Sequence, residues 1–463
     1  MDTFYLLFAA SLVFLMQAGF ALLAAGSIRM KSVKNILLKS VMDACAGGII
    51  WYLFGFGVAF HQGEGGNGFI GTSGFNYALS GVDDTSGASY GAEWAFFFFQ
   101  YAFAAAAATI TSGAVAERCT LTGYLAYVML IVGLLYPVVV HWVWDPNGFL
   151  SAFNPEPPGP FKKLPGMIDF AGSGVVHLTG GVCAFMGALT IRPRLGRFVG
   201  DETLFAGQSS SLQVLGTFLL WFGWYGFNPG STLAITPAGY ARDAARAAVT
   251  TTLAAASARL PSQLGGVPMW DLAATCNSLL GGLVSITAGC STVDVWASIV
   301  IGLVGAIVYH VASCTMRKLK IDDPLDAFAV HGACGLWGCI AVGLFCTEEY
   351  SYSPHADSTL YAKRGKVDCG IFYGGSGLLL ATQIVGPIFI ILWAGGLSLA
   401  LFGSLRALGL LRISVEVEQK GLDSSKHGGS AYPNVDAALK SLEEWSSSAP
   451  PSPERFGKVG SKV

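Results

Sequence analysis

Apolar stretches recur along the chain, each close to the roughly 20 residues that a bilayer-crossing helix requires. Eleven can be laid out, over about 3–27, 40–60, 92–116, 121–142, 169–190, 211–231, 241–260, 270–290, 295–316, 326–346 and 376–408. The last is long enough to tilt or to run past the membrane. Between them the polar segments alternate in charge. Arg29, Lys31, Lys34 and Lys39 follow the first span, Arg118 the third, and Arg192, Arg194 and Arg197 the fifth. Arg259 follows the seventh, and Arg317, Lys318 and Lys320 the ninth. The other set is poor in base. Segment 61–91 has none and carries Glu64, Asp83 and Asp84; 146–168 has Lys162 and Lys163; 347–375 has Lys363, Arg364 and Lys366. The positive-inside rule then places the N-terminus outside and the C-terminus in the cytosol, as an odd number of spans requires.

Composition agrees with a polytopic, all-α membrane protein. Of 463 residues 53% are hydrophobic and 12% charged, against about 25% charged in a soluble domain. The 60 glycines suit close helix packing in lipid. A net charge of −2 gives no reason to expect nucleic acid. The first stretch carries Asp2 and no early base, so it reads as a span rather than a signal peptide. Most of the ten cysteines lie in apolar runs as small packing residues. Cys346 and Cys369 flank an outer loop, where a disulfide or two thiols are both open. After Gly409 the chain turns polar, so 1–409 is the membrane domain and 410–463 a cytosolic tail ending in the Ser/Pro-rich SSSAPPSPERF.

Two stretches each place a carboxylate and a histidine in one span, where ionisable groups are costly and point to function. Asp169-Phe-Ala-Gly-Ser-Gly-Val-Val-His177 opens the fifth span; Asp322-Asp-Pro-Leu-Asp326-Ala-Phe-Ala-Val-His331-Gly opens the tenth. Through a continuous helix, Asp169 and His177 would stand roughly 12 Å apart, so each needs its own task. The fifth span runs inward and the tenth outward. This predicts two inverted five-helix repeats, about 1–200 and 201–347, plus a final helix, with both imidazoles meeting mid-membrane. Asp169 reads as a helix cap and as a fixed negative charge; Asp326 reads as its inner, structural counterpart.

DFAGSGVVH, DDPLDAFAVHGACG, WYGFNPGS at 224–231 and FFFFQYAFAAAAATITSGAVAER at 96–118 resemble the ammonium transporter family (Amt/Mep/Rh), and the tail GLDSSKHGGSAY resembles its plant and algal members. The resemblance implies eleven helices and a homotrimer with one pore per subunit. Ammonium or methylammonium would be the substrate, and no cofactor is implied. The recruitment site would fall on Trp144 and Ser231, with Phe103 and Trp224 beside it. The phenyl gate would be Phe103 and Phe227, the proton-conducting pair His177 and His331, and the essential acid Asp169. Ser425 aligns with the phosphorylatable Thr of the plant tail, which implies a kinase. Pro229 stands where Ala is more usual, and Tyr225 replaces a common Phe. Taken singly, Trp144 reads as an interfacial aromatic, Phe103 and Phe227 as core aromatics, and His141 as structural.

Ammonium is nearly the size of potassium, so diameter cannot select it. It differs in its directed N–H donors and in being able to lose a proton. An indole face and a hydroxyl suit the cation; a greasy constriction suits neutral ammonia; and two facing imidazoles can pass a proton. The expected function is therefore inward ammonium transport across the plasma membrane. The alternatives are an electroneutral ammonia channel and an ammonium sensor. An intramembrane enzyme or metal site is disfavoured, because His177 has no His or Cys at i+3 or i+4 and His331 has Cys334 alone, short of a full ligand set.

Overall fold

Helices stand at every position where the apolar pattern places one. The computed structural model describes residues 1–60, 66–72, 74–80, 91–258, 262–264, 267–269, 271–352 and 368–432. His61, His355, the charges Glu64, Asp83, Asp84, Arg259, Lys363, Arg364 and Lys366, and the Ser/Pro-rich end of the tail lie outside the described residues. In chain order the long helices are α1 (Asp2–Ser27), α2 (Met30–Ala59), α3 (Ala92–Ala114), α4 (Leu121–Trp144) and α5 (Ser173–Ile191). There follow α6 (Ser210–Phe227), α7 (Tyr240–Ser257), α8 (Leu272–Ile286), α9 (Val295–Lys318), α10 (Phe328–Phe345) and α11 (Leu378–Ala407). Among the described residues, eight are long and apolar enough to cross a membrane; α6, α7 and α8 are shorter or less apolar. In α7 the cause is local: Arg242, Asp243 and Arg246 occupy its first turns, and Arg246 bonds Asp243 and the carbonyl of Ser291. The described strands form one short antiparallel pair, Ser262–Leu264 with Val267–Met269.

Small residues set the packing. α1 runs along α6, and a Cβ added at Gly216 would meet the Leu23 backbone nitrogen at 2.4 Å, at Gly226 the Ala9 carbonyl at 2.5 Å. In lipid, where apolar surface alone drives little association, such backbone approach supplies the contact. α11 is tied to the start of α5 by Gln383, whose side chain accepts from the Ile168 N–H and donates to the Ile168 and Cys339 carbonyls.

The helix boundaries differ from expectation, most consequentially at α2 and α5. α2 begins near residue 30 rather than 40, so Lys34 and Lys39 belong to the helix and not to a loop. Lys39 is buried, its Nζ donating to the Cys119 carbonyl at 2.8 Å over the Tyr124 ring. α5 begins at Ser173, not Asp169, and opens with a π-helical turn, Ser173–Leu178; α10 opens likewise over Phe328–Ala333. Each histidine sits on such a turn, a local widening common at functional sites.

Candidate functional site

The π turns lie at the heart of the bundle, and glycines bring them together. A Cβ on Gly181 would meet the Gly332 nitrogen at 2.1 Å, and one on Gly335 the Ser173 carbonyl at 2.5 Å. With no side chains between the backbones, His177 and His331 come face to face. Their rings stack at 5.2 Å and 20°, and the two Nδ1 atoms stand 3.2 Å apart. Both are buried, at 0% and 6% exposure. A hydrogen bond across two Nδ1 atoms requires one to carry the proton and the other to lack it. The pair is therefore neutral with opposed tautomers, or shares one extra proton. His177 Nε2 has no hydrogen-bond partner among the described residues.

Above the pair, on the face where α1 begins, Phe103 and Phe227 stack at 4.0 Å and 20°. The His177 ring lies 5.4 Å below Phe227 and nearly parallel to it. Beyond the phenyl rings is a cavity of about 80 Å³ lined by Phe99, Gln100, Phe103, Trp144, Asp169 and Ser231 among others. The Trp144 ring meets Phe103 edge-on at 5.9 Å, and its Nε1 donates to the Asp169 carbonyl at 2.7 Å. The Ser231 hydroxyl donates to the Phe227 carbonyl at 2.8 Å. Its proton is thus engaged and its lone pairs remain to accept. Pro229 opens a short turn, Pro229–Thr232, held by the Tyr5 hydroxyl on its carbonyl, and Ser231 still lines the cavity.

Asp169 precedes α5 and reaches forward to cap it. Its carboxylate accepts from the N–H groups of Gly172 (3.0 Å), Gly174 (2.9 Å) and Val175 (2.8 Å). All its visible bonds are to backbone, as in a cap. The same construction recurs at α10, but with a different residue than expected. Asp323, not Asp326, accepts from the Phe328 N–H at 2.8 Å. Asp323 precedes His331 by the spacing with which Asp169 precedes His177, and each carboxylate reaches the N–H five residues on. The equal spacing was present in the sequence and would have identified it. Asp326 instead accepts from Tyr309 and Ser313 on α9.

Trp224 does not line the outer cavity. It is fully buried below the phenyl pair, stacked on His177 at 5.2 Å, with Nε1 donating to Thr287. His141 holds the end of α2, its ring nitrogens facing the carbonyls of Ala59 and Asn67. Cys346 and Cys369 are free thiols, Cys346 bonded to Ser351.

Below His331 lies a small cavity of about 30 Å³ lined by Phe20, Thr109, Asn277, Leu325 and Val330 among others. It shares Leu23, Asn277 and Leu325 with a cavity of about 650 Å³ on the opposite face. One file of sites thus runs from the outer cavity through the phenyl pair and the histidines to the other side.

The sequence model of the Ammonium Transporter Family matches residues 3–432. Ammonium transporter 1 member 1 of Oryza sativa subsp. japonica is 46% identical over 93% of this chain and 85% of that protein. Ammonium transporter 1 member 3 of Solanum lycopersicum is 44% identical over 93% of each. Among solved structures, a sensor Amt protein superposes with TM-score 0.76 at 30% identity, covering 92% of this chain and 98% of that one. Candida albicans Mep2 does so with TM-score 0.74 at 27% identity, covering 90% and 86%.

Proposed function

The chain belongs to the ammonium transporter family, and from that premise we propose how its residues move the ion. It is a multi-pass membrane protein, and its function is transmembrane transport of ammonium. On our reading all eleven helices cross the bilayer, α1 to α10 as two inverted sets of five, with the N-terminus outside and residues 410–463 a cytosolic regulatory tail. The plasma membrane is the proposed location and a homotrimer the proposed assembly.

Ammonium enters the outer cavity, where the Trp144 and Phe103 rings attract the cation and the Ser231 oxygen accepts an N–H. Cation–π attraction of about 0.5–2 kcal/mol acts on potassium too; the directed hydrogen bond does not. Asp169 shapes this end of α5, and its charge lies within the cavity wall. Passage of the intact ion between stacked phenyl rings would strip its water against an apolar wall, which is costly. Neutral ammonia passes instead. The proton goes to the free Nε2 of His177, the Nδ1 proton crosses to His331 Nδ1, and His331 releases its own Nε2 proton inward. That passage inverts both tautomers, so the pair resets before the next cycle.

The observation carrying this reading is the file formed by the stacked Phe103–Phe227 rings over the 3.2 Å Nδ1–Nδ1 contact. Voltage-clamped cells expressing the protein should show a saturable inward current on adding ammonium. In His177→Ala that current should be lost or lose its selectivity against potassium. Tracer methylammonium uptake without current in the wild type would favour the electroneutral channel, and neither signal with protein at the surface would favour the sensor.

The tail supports a regulatory reading. Asp423 caps α2 by accepting from the N–H groups of Lys34 (2.9 Å) and Asn35 (3.0 Å), and His427 bonds Asn35 at 2.8 Å. Ser425 lies between these anchors, its hydroxyl oxygen buried and without a partner among the described residues. A phosphate there adds about −1.5 to −2 charge beside Asp423 and would repel the segment from its dock. A kinase is the proposed partner.

A further inference from the structure

Outside the file of sites, the interior holds a buried carboxyl with no assigned task. Asp43, in the middle of α2, is fully buried, with no hydrogen-bond partner for its Oδ1 among the described residues. Its Oδ2 stands 2.5 Å from Thr109 Oγ1, which also lies 2.8 Å from Gln17 Oε1 and 2.8 Å from the Ala105 carbonyl. Thr109 is the link to the pore, because it lines the same small cavity as His331. That cavity's volume of about 30 Å³ is room for a water molecule or two.

Counting protons shows what the cluster can do. One hydroxyl proton on Thr109 faces three acceptors, so it cannot serve all of them. Gln17 resolves one conflict by turning its amide, since its Nε2 too has no partner among the described residues. The rest is settled by Asp43 in either of two states. As the acid, Asp43 donates to Thr109, and Thr109 donates to Ala105. As the carboxylate, Asp43 accepts from Thr109. Both states fit the same heavy-atom positions, so a proton can be added or removed without repacking.

The surroundings can bear either charge. The Tyr124 hydroxyl lies beside the carboxyl, with the Tyr127 ring 4.8 Å from that of Tyr124. The Lys39 ammonium, one turn toward the tail, sits over the Tyr124 ring and bonds the Cys119 carbonyl. Tyr101 is engaged elsewhere, donating to Ala44. No cation contacts Asp43 directly among the described residues, so neither state is locked by an ion pair.

We propose that Asp43 is the proton-holding site of the inner half of the pathway, loaded and unloaded through the Thr109 hydroxyl. A proton released by His331 enters the cavity water and bonds to Thr109 Oγ1, while the Thr109 proton moves to Asp43 Oδ2. Ammonia passes on into the wider vestibule. The reverse transfer then returns the proton to the cavity, where it rejoins ammonia. No oxidant or co-reactant is needed.

The inference rests on the histidine proton route, and its test separates the two. Wild type, Asp43→Asn, Thr109→Val and Thr109→Ser are compared in proteoliposomes for the ratio of charge moved to tracer methylammonium taken up. Asp43→Asn and Thr109→Val should lower that ratio by about an order of magnitude while tracer uptake survives; Thr109→Ser, which keeps the hydroxyl, should hold it. Infrared difference spectra of the wild type on adding ammonium should show a protonated-carboxyl band that Asp43→Asn lacks. Equal ratios in wild type and Thr109→Val, or a wild-type spectrum without the carboxyl change, overturn the proposal; the second readout decides it even where Asp43→Asn fails to fold. A wild type that takes up tracer without current is read separately, as failure of the histidine route itself.

Discussion

On the proposed reading, side chains at the outer cavity divide their work between charge and direction. Trp144 offers a π face and Ser231 a lone pair, its own proton spent on the Phe227 carbonyl. Removing the lone pair should cost about 1 kcal/mol of ammonium affinity. Ser231→Ala should therefore raise the apparent KM for ammonium about fivefold in uptake assays and leave potassium block unchanged; an equal change for both ions contradicts the assignment. These residues were legible as members of motifs, and not otherwise: a lone Phe or Trp in an apolar run carries no mark of a pore. Trp224 shows the limit, since its neighbours in sequence placed it near the gate but not on which side. Asp43 was the opposite case. An ionisable residue inside a span was visible in the sequence, but its partners Gln17 and Thr109 come from two other helices and no periodicity announces them.

At the scale of elements, periodicity and length found the helices, and what escaped was irregularity within them. The π turns that carry His177 and His331 leave no signature in the apolar pattern, because an extra residue per turn changes no residue type. The glycines were visible as a composition, yet only the structure shows which of them cross. Gly181 is the critical one. A methyl there has no free space against the Gly332 backbone at 2.1 Å, so α5 and α10 must separate. Gly181→Ala should destabilise the protein by more than about 2 kcal/mol, read as a lower melting temperature in detergent, and should abolish uptake. Gly396, where an added Cβ meets nothing within 4 Å among the described residues, provides the control; Gly396→Ala should behave as wild type. Equal melting of the two variants would contradict the packing argument.

Across the whole molecule, the alternation of basic segments predicted a basic face, and the structure shows what that face does. Glu117 bridges Arg29 and Arg194; Arg194 also clasps Asp322 with Nε at 2.8 Å and Nη2 at 2.9 Å; and Arg118 donates to the Asp322 carbonyl. The tail joins through Glu418, which pairs with Arg412 at 2.8 Å and accepts from the Leu195 N–H. Asp423→Ala removes the tail's cap on α2 and should free it to proteolysis ahead of the membrane domain. Cleavage at the wild-type rate would contradict docking.

Two neighbouring carboxyls on this face titrate in opposite senses. Burial works to raise Asp322, but Arg194 and Arg118 outweigh it and hold the carboxyl below the usual range. Its contribution is fully present above about pH 4 and lost only in stronger acid. Burial pushes Asp323 up to about 7, reinforced by Asp326 and opposed by the Phe328 N–H. Folding then binds an extra proton between about pH 4 and 7, so Asp323's contribution to stability declines as pH rises through that window. Asp323→Asn should flatten the melting temperature between about pH 5 and 8, whereas Asp322→Asn should lower it throughout. Profiles of the same slope for wild type and Asp323→Asn would contradict the first.

In the proposed mechanism ammonium parts from its proton at the phenyl gate, and both cross. The most direct measurement is charge against tracer in the same proteoliposomes: current and labelled methylammonium uptake recorded together under a fixed voltage. One elementary charge should accompany each methylammonium, with the ratio collapsing in His177→Ala. Uptake in the wild type with no accompanying charge would contradict it.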